Sequence, residues 1–342
     1  MANKLYGIDF GTYAIKIYHM RQGICFHQKS VIASRGKDQI IAIGEEAYEM
    51  VGKQPDYINI DFPIRNGVVA DYDKMLALIN CIALDMARAG DKMKGASFLV
   101  AVPTEVTDVE KKTFYDIIDS SIIRPKRIRI TEKPLADALG CGIAIEDSHG
   151  SLIVNIGADT TEISVISQGG IVLSRLCSCG GVKFDEAVTS AVRRMHNLTI
   201  GPRTAEQIKI GLVDLASDGS ATMKAYGRDY MSGLPREREI TAELVNSAVA
   251  EPLEIILEAV RSVLERIPPE ISADIYRDGI TFSGASSALG GLSEYVTKST
   301  GLRVNIAPNG ATSVADGLGR VMEEERYEHL AKPLHRTYYE ND

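Results

Sequence analysis

The sequence predicts an α/β protein with two domains of related build and a ligand-binding cleft between them. Two hairpins of one design support this fold class, because Leu5–Gly23 and Gly150–Gly170 both read as strand, tight polar turn and strand. When Gly11 is laid on Gly157, the turns and strands of the two stretches coincide; an accidental match is the alternative to an internal duplication. Further strands and helix–strand–helix units follow each hairpin, which is typical of α/β domains that hold ligands in a cleft.

The composition indicates an ordinary globular protein of two or three domains. The 342 residues are 45% apolar and 25% charged, with a formal net charge of -8, which argues against a general affinity for nucleic acid. No apolar run approaches the roughly 18 residues of a membrane span. Met1 to Lys4 runs straight into a strand, so we expect no secretory signal. Five cysteines, an odd number, favour a reducing cytoplasm.

The elements of the first half follow from caps, breakers and apolar periodicity. Asp71 is suited to cap a helix over 72–89, and Thr107 and Glu110 have the spacing of a capping box. The predicted strands are 40–43, 98–102 and 128–130; helices start at 44, 72, 108 and 134; residues 56–70 form loop and short strand. The helix after Thr107 is expected to face inward through Val109, Phe114, Ile117 and Ile118.

The second half repeats this alternation after its opening hairpin. The predicted strands are 171–176, 280–282 and 304–306, and the predicted helices are 183–195, 204–210, 241–267 and 311–325. Residues 217–239 are polar and rich in Gly and Ser, so they form a loop or hairpin. Pro268-Pro269 stops the long helix, and residues 327–342 are expected to form a polar tail.

The turn at Gly157-Ala158-Asp159-Thr160 carries chemistry of its own. A Gly/Asp/Thr turn between β-branched strands presents backbone N–H groups and hydroxyls at one point. Such a group of donors is what a phosphate needs. The same argument applies to the first hairpin turn, so the two hairpins predict two phosphate-holding turns.

Several longer stretches resemble one known family. They are GIDFGT at 7–12, RNGVVADY at 65–72, VPTEVTDVEKK at 102–112, NIGADTTEISVIS at 155–167, GGVKFDEAV at 180–188, IGPRTAEQIKI at 200–210, GLP at 233–235 and TGLRVNIAPNGATSVADGLG at 300–319. Together they resemble the actin/Hsp70/sugar-kinase superfamily and, within it, the MreB-like bacterial actins. The resemblance covers about Leu5 to Met322.

The resemblance implies an actin-like ATPase fold, with two duplicated ribonuclease-H-like α/β domains around a nucleotide cleft and a smaller subdomain on each. On this pattern, residues 1–31 and 69–144 form subdomain IA and residues 32–68 form subdomain IB. Residues 145–180 and 246–326 form subdomain IIA, residues 181–245 form subdomain IIB, and 327–342 is the tail.

The resemblance also implies a function. We expect a cytoplasmic cytoskeletal protein, peripheral at the inner face of the cell membrane, that forms ATP-dependent filaments for cell shape and guides cell-wall synthesis. ATP and Mg²⁺ would be its cofactors. Its partners would be further copies of itself, the inner membrane surface and cell-wall morphogenesis proteins, with no nucleic acid. A catalytically degenerate relative that acts as a non-hydrolysing scaffold or modulator is the alternative, and a small-molecule kinase of the superfamily is a further one.

Site residues are carried over position by position. The nucleotide would be held by the two hairpin turns, one helix and one later loop: Gly11, Thr12, Tyr13, Ala14, Gly157, Ala158, Asp159, Thr160, Glu206, Gln207, Ile208, Lys209, Gly284, Ala285, Ser286 and Ser287. Asp9 and, through water, Asn155 would serve Mg²⁺. Glu132 and Thr161 are the catalytic candidates. Without the resemblance, Glu206 and Lys209 read as an exposed salt-bridge pair.

The chain departs from the family where the chemistry is expected. Asn155 stands where the family has a carboxylate, and Ala158 and Asp159 replace glycines. Lys133 stands where the family has the glutamate that positions the attacking water, and an ammonium is a poor base at neutral pH. Strand alternation predicts that Glu132 and Lys133 point in opposite directions.

Two further loops differ from the family. The adenosine loop, Gly-Gly-Gly in the family, is Gly284-Ala285-Ser286 here, so two added side chains could narrow the base pocket. In the loop at 91–95 Met93 is the membrane-inserting candidate, flanked by Lys92 and Lys94.

Overall fold

The computed structural model describes residues 4–36 and 39–334, which form two units. The first unit comprises residues 4–145 and 312–334, and the second comprises 146–311. Within the described ranges, no helix combines the length and apolar character needed to cross a bilayer.

The first unit is built on a five-stranded sheet with the order β10-β9-β1-β2-β3. Its strands are β1 Leu5–Phe10, β2 Ala14–His19, β3 Gly23–Lys29, β4 Ile32–Arg35, β5 Gln39–Ile43, β6 Ile58–Asp61, β7 Ile64–Arg65, β8 Val68–Val69, β9 Ser97–Val102 and β10 Arg127–Glu132. Its helices before the second unit are α1 Gly44–Glu49, α2 Tyr72–Arg88, α3 Asp108–Asp119 and α4 Lys133–Gly140. A small sheet, β5-β4-β6, falls within the predicted segment 32–68.

The caps predicted for α2 and α3 are confirmed. Asp71 accepts a hydrogen bond from the backbone N–H of Lys74, and Thr107 and Glu110 form a complete capping box. Caps of this kind each contribute about 1 kcal/mol. The inward face of α3 is confirmed at Phe114, Ile117 and Ile118, but Val109 is 75% exposed, because it lies in the first turn beyond the edge of the core.

The second unit repeats the design around the sheet β13-β12-β11-β17-β18. Its strands are β11 Ser151–Ile156, β12 Thr161–Ser167, β13 Gly170–Cys177, β14 Leu198–Thr199, β15 Thr222–Asp229, β16 Pro235–Thr241, β17 Ile280–Ser283 and β18 Val304–Ile306. Its helices are α5 Gly181–His196, α6 Pro202–Leu212, α7 Ala242–Leu264, α8 Pro269–Asp278 and α9 Leu292–Thr300. The segment 217–239 contains the hairpin β15–β16.

The two sheets share strand order and strand direction. In each, an antiparallel three-stranded meander (β1–β2–β3 or β11–β12–β13) is extended by two parallel strands on the side of its first strand. The sequence match between the hairpins is therefore also a match of topology, as an internal duplication requires. Helix α8 escaped prediction because Pro268-Pro269 reads as a stop; Pro269 also begins a helix, since proline fits the first helical turn.

The last helix, α10 Ser313–Glu323, belongs to the first unit, whereas the sequence placed residues up to 326 in the second. It packs directly on α4 because both helices carry glycine at the contact. A Cβ on Gly317 would lie 1.6 Å from the carbonyl oxygen of Ala136, and one on Gly140 would lie 1.8 Å from that of Ser313. The sequence of neither helix reveals this long-range contact. The predicted boundary at residue 326 was therefore wrong, since the second unit ends at residue 311.

The predicted tail from 327 onward is also wrong over the residues that the structure describes. Tyr327 and Leu330 are buried in a 3₁₀ turn that follows α10. The backbones of Lys332 and Ile130 then exchange two hydrogen bonds of 2.9 Å each, which add a short strand-like contact to β10. Residues 335–342 lie outside the described ranges.

Candidate functional site

The second hairpin turn receives the N-terminus of α5. Its own closure is a hydrogen bond from the Gly157 N–H to the Thr160 carbonyl, 2.9 Å. The N–H groups of Gly181 and Val182 then donate to the carbonyls of Gly157 and Ala158, at 3.0 and 2.8 Å. The positive end of a helix therefore lies against the predicted phosphate turn, and such ends favour anions.

The loop 284–287 lies against the same turn. The Ser286 hydroxyl donates to the Gly157 carbonyl across 3.3 Å. Gly284 has φ +80°, and a Cβ there would lie 2.3 Å from the carbonyl oxygen of Ile156, so only glycine fits. Two predicted site loops, far apart in sequence, are thus brought into contact; Ala285 is exposed and the Ser287 side chain is buried.

Lys209 completes this second-unit cluster from α6. It is 7% exposed, its Nζ lies 2.9 Å from Asp185 Oδ1, and it donates to the Gly181 carbonyl at 3.4 Å. The reading of Glu206 and Lys209 as an exposed pair is therefore wrong for Lys209. Burial raises the pKa of Asp185, although the ammonium of Lys209 opposes that shift.

The remaining predicted residues of α6 divide between surface and core. Ile208 is 1% exposed and belongs to the hydrophobic core, because it lies on the inner face of the helix. It is not placed to touch a ligand through its side chain. Gln207 is exposed and Glu206 is half-buried.

Thr161 has a structural partner. Its side chain is fully buried, and its hydroxyl donates to the Cys179 carbonyl at 2.8 Å. This bond ties the start of β12 to the segment that leads into α5. Because its proton is engaged by Cys179, Thr161 does not present a donor to a water, contrary to its role as a catalytic candidate.

Asn155 faces a carboxylate that the sequence reasoning missed. Asn155 and Glu162 are directly opposite each other in the β11–β12 pair, and Glu162 is 5% exposed. Side chains directly opposite in an antiparallel pair share a face. A signal existed: when the hairpins are superimposed, Glu162 falls on Lys16, so the duplicated position carries opposite charge in the two units. Asp159, in the turn, is half-buried.

The first unit places Asp9 between two ammonium groups. Asp9 is 3% exposed; its Oδ2 lies 3.0 Å from Lys16 Nζ and its Oδ1 lies 3.5 Å from Lys133 Nζ. Burial acts to raise the pKa of Asp9, but Lys133 and Lys16 outweigh it and hold that pKa below its ordinary value. Asp9 is therefore a buried carboxylate that stays charged.

The first hairpin turn lies beside this cluster. A Cβ on Gly11 would lie 3.6 Å from Lys16 Nζ. Ser30 stabilises the turn through two hydrogen bonds. Its N–H donates to the Tyr13 carbonyl at 2.9 Å, and its hydroxyl donates to the Gly11 carbonyl at 2.8 Å. No pattern in the sequence singled out Ser30. Of the other predicted turn residues, Ala14 is buried and Thr12 is half-buried.

Glu132 and Lys133 point to different partners, as strand alternation predicts. Glu132 Oε2 lies 3.4 Å from Lys332 Nζ at the outer edge of β10, whereas Lys133 reaches Asp9. Glu132 therefore does not take the place of the missing glutamate, and its catalytic candidacy is not supported by the geometry.

Mg²⁺ was predicted at Asp9 and Asn155, and the residues present do not fit it. Both oxygens of Asp9 face ammonium groups, and Asn155 offers only a neutral amide. Among residues 4–36 and 39–334 there is no group of three or more His, Cys, Asp or Glu side chains suited to a metal. A divalent cation at Asp9 would have to displace a lysine.

Met93 is not a membrane anchor. It is 2% exposed and belongs to the core of the first unit, while the neighbouring Lys92 and Lys94 are exposed. The sequence prediction of an inserting side chain is wrong because the loop folds its one apolar residue inward.

The whole chain was compared with known protein families. The family model described as MreB/Mbl protein matches residues 3–329. The chain belongs to the MreB/Mbl family. The cell shape-determining protein Mbl of Bacillus subtilis is 34% identical over 319 residues, covering 93% of this chain and 95% of the relative. The cell shape-determining protein MreB of Haemophilus influenzae is 36% identical over 329 residues, covering 92% of each chain.

Solved structures agree with this membership. MreB5 of Spiroplasma citri bound to ADP has a TM-score of 0.90 at 31% identity, covering 96% of this chain and 98% of that one; its complex with AMPPNP gives the same values. The MamK double helical filament, at 22% identity and a TM-score of 0.78, shares the fold. The predicted actin-like α/β fold of this MreB/Mbl family member is confirmed.

Proposed function

We propose that this MreB/Mbl family member is a cytoskeletal protein that binds ATP and forms filaments for cell shape, guiding cell-wall synthesis. It acts in the cytoplasm, at the periphery of the inner face of the cell membrane. Support comes from its relatives, which are named as cell shape-determining proteins, and from the structures of MreB5 bound to ADP and AMPPNP.

The observation that carries ATP binding is the convergence in the second unit. The turn at Gly157, the N-terminus of α5 at Gly181, the Lys209 ammonium and Ser286 come together from four separate stretches. The dipole of α5 and the buried Lys209 ammonium both favour negative charge here, while the N–H groups of Gly181 and Val182 are engaged by the turn. Gly284 is needed there because its φ is +80° and because the backbone of Ile156 passes within contact distance.

One observation favours a second candidate, a filament protein that binds ATP without appreciable hydrolysis. Lys133 is ion-paired with Asp9, at the position of the family's water-positioning glutamate, and Glu132 is engaged by Lys332. An ammonium paired with a carboxylate stays protonated and cannot accept a proton from water. We expect turnover to rise in Lys133→Glu, measured as phosphate release; brisk turnover in the unaltered protein would exclude this candidate.

The partners proposed are further copies of this chain, cell-wall morphogenesis proteins and the inner membrane surface. Because Met93 is buried, contact with the membrane would be electrostatic, through Lys92 and Lys94. Flotation with vesicles of anionic lipid tests this: binding lost in the Lys92→Gln/Lys94→Gln variant supports it, and equal flotation of both proteins argues against it.

Sedimentation of the purified chain with and without ATP tests the main proposal, with light scattering as a second readout. We expect pelleting that requires nucleotide and that falls at least tenfold in Lys209→Gln. Lys298→Gln, on the exposed surface of α9, is the matched control and should pellet normally. If the unaltered protein, Lys209→Gln and Lys298→Gln all pelleted to the same extent with and without ATP, a nucleotide-dependent filament would be rejected.

A further inference from the structure

We propose that the two lysines on Asp9 replace the divalent cation, so that this chain binds the phosphates of its nucleotide without Mg²⁺. The inference rests on the proposed ATP binding and deepens it by naming the ionic form of the ligand, free ATP rather than its magnesium complex. The residues present at Asp9 do not fit the metal that the resemblance implies.

The cluster formed by Asp9, Lys16 and Lys133 is positively charged. Asp9 contributes one negative charge and Lys16 and Lys133 each contribute one positive charge, so the group carries one net positive charge. With the glutamate that the resemblance expects at 133, the same group would carry one net negative charge. The difference is two charge units, which is what one Mg²⁺ supplies to phosphates.

Lys16 carries its charge to the predicted phosphate turn at Gly11. Lys16 lies opposite Asp9 in the β1–β2 pair, and its Nζ abuts the turn at Gly11, 3.6 Å from where a Cβ would be. An ammonium has three N–H donors, and the Asp9 contact of Lys16 takes one of them. Lys16 is therefore placed to meet an anion held by the backbone of that turn.

Lys133 does not stabilise the helix that it begins. It is the first residue of α4, where the helix dipole is positive and a cation is unfavourable. Its side chain is only 21% exposed and turns toward Asp9 rather than into solvent. Lysine at this position adds to the positive potential of the helix N-terminus, which favours an anion and opposes a metal ion.

Asp9 holds both ammonium groups in place. Their contacts are 3.0 and 3.5 Å on separate oxygens of a carboxylate that is only 3% exposed. A single buried negative charge that is already paired with two positive charges attracts no further cation. Asp9 is thus a positioning residue for two lysines.

The experiment is equilibrium binding of ATP to the full chain by calorimetry, once in excess EDTA and once with MgCl₂. We expect the dissociation constant measured with MgCl₂ to equal or exceed the one measured in EDTA, because Mg²⁺ converts free ATP into its magnesium complex. Binding that is tighter by fivefold or more with Mg²⁺ overturns the inference and leaves the proposed function standing. Absence of binding in both buffers overturns the proposed function and the inference with it.

Charge variants give a second, independent measurement. In Lys133→Glu we expect affinity in EDTA to fall at least tenfold and to be recovered by Mg²⁺; Lys133→Met, which adds no repulsion, should lose affinity in EDTA without recovering it. Lys53→Glu, an exposed lysine of the same unit, is the matched control for total charge and should bind like the unaltered protein. Affinity in EDTA that is unchanged in both Lys133 variants contradicts the inference.

Discussion

Gly317→Ala is expected to separate α4 from α10 and to destabilise the first unit. The added Cβ would lie 1.6 Å from the carbonyl oxygen of Ala136. Nonbonded heavy atoms keep about 3.5 Å apart, so the helices must separate by about 2 Å. The obstacle is backbone, which cannot rotate away as a side chain can.

The magnitude follows from two opposing contributions. Overpacking of a well-packed contact costs about 1–3 kcal/mol and sometimes more, and this rigid contact belongs at or above the top of that range, about 4 kcal/mol. Replacing a helical glycine by alanine returns about 1 kcal/mol. The net loss is about 3 kcal/mol, which lowers the melting temperature by about 6–12 °C for a unit of this size.

Thermal unfolding followed by circular dichroism measures this loss, with Gly211→Ala as the matched control. Gly211 is also helical, but its added Cβ would meet only the end of the flexible Met223 side chain. The control should change stability by less than about 1 kcal/mol. If Gly317→Ala melted within 2 °C of the control, about the shift from 1 kcal/mol, the backbone contact would be absent and the reasoning wrong.

Three further outcomes are expected. Lys209→Met leaves the half-buried Asp185 without its partner and should cost about 1–3 kcal/mol by urea unfolding. Lys209→Met/Asp185→Asn should be less affected, and equal losses would argue against the pair. The Ser232 backbone N–H and hydroxyl, with Arg236, lower the pKa of Asp229 to about 2. These contacts therefore stabilise the β15–β16 turn at any pH above the ordinary pKa of an aspartate, and the stabilisation is lost as the pH falls from 4 toward 2. Proteolysis of the turn should increase over that pH range, and it should increase in Asp229→Asn at pH 7. Thr107→Ala should lose about 1 kcal/mol through the cap of α3, and no loss would show that the capping box is dispensable.

The parts of the fold that sequence predicted well are local. Hairpins, the cap at Asp71 and the capping box of α3 depend on neighbouring residues, so they could be recognised without the rest of the chain. The placement of α10 could not, because Gly317 and Gly140 acquire their meaning only when two distant helices meet. Met93 was misjudged for a related reason, since the sequence of a loop does not show which way it folds.

The candidate site shows the same division. The turns at Gly11 and Gly157 were found from pattern, and the resemblance supplied Lys209 and the loop at Gly284. Their mutual contacts, and the engagement of Thr161 by Cys179, required the tertiary structure. The sequence showed that Lys133 stands where the family has a glutamate. It did not show that Lys133 pairs with Asp9.

The first unit is formed by two segments that flank the second unit in sequence, and this constrains the order in which the units can fold during synthesis. Its closing helix α10 is encoded after the whole second unit, so α4 can pack on β9 and β10 but lacks its glycine contact with α10 until that helix has been synthesised. On the ribosome, the second unit is therefore the first that can be completed, although its residues emerge later than most of the first unit. The nascent first unit must wait, through more than 160 residues of translation (146–311), for the helix that packs against α4. A chain truncated before residue 312 should thus retain a folded second unit and an unfinished first one.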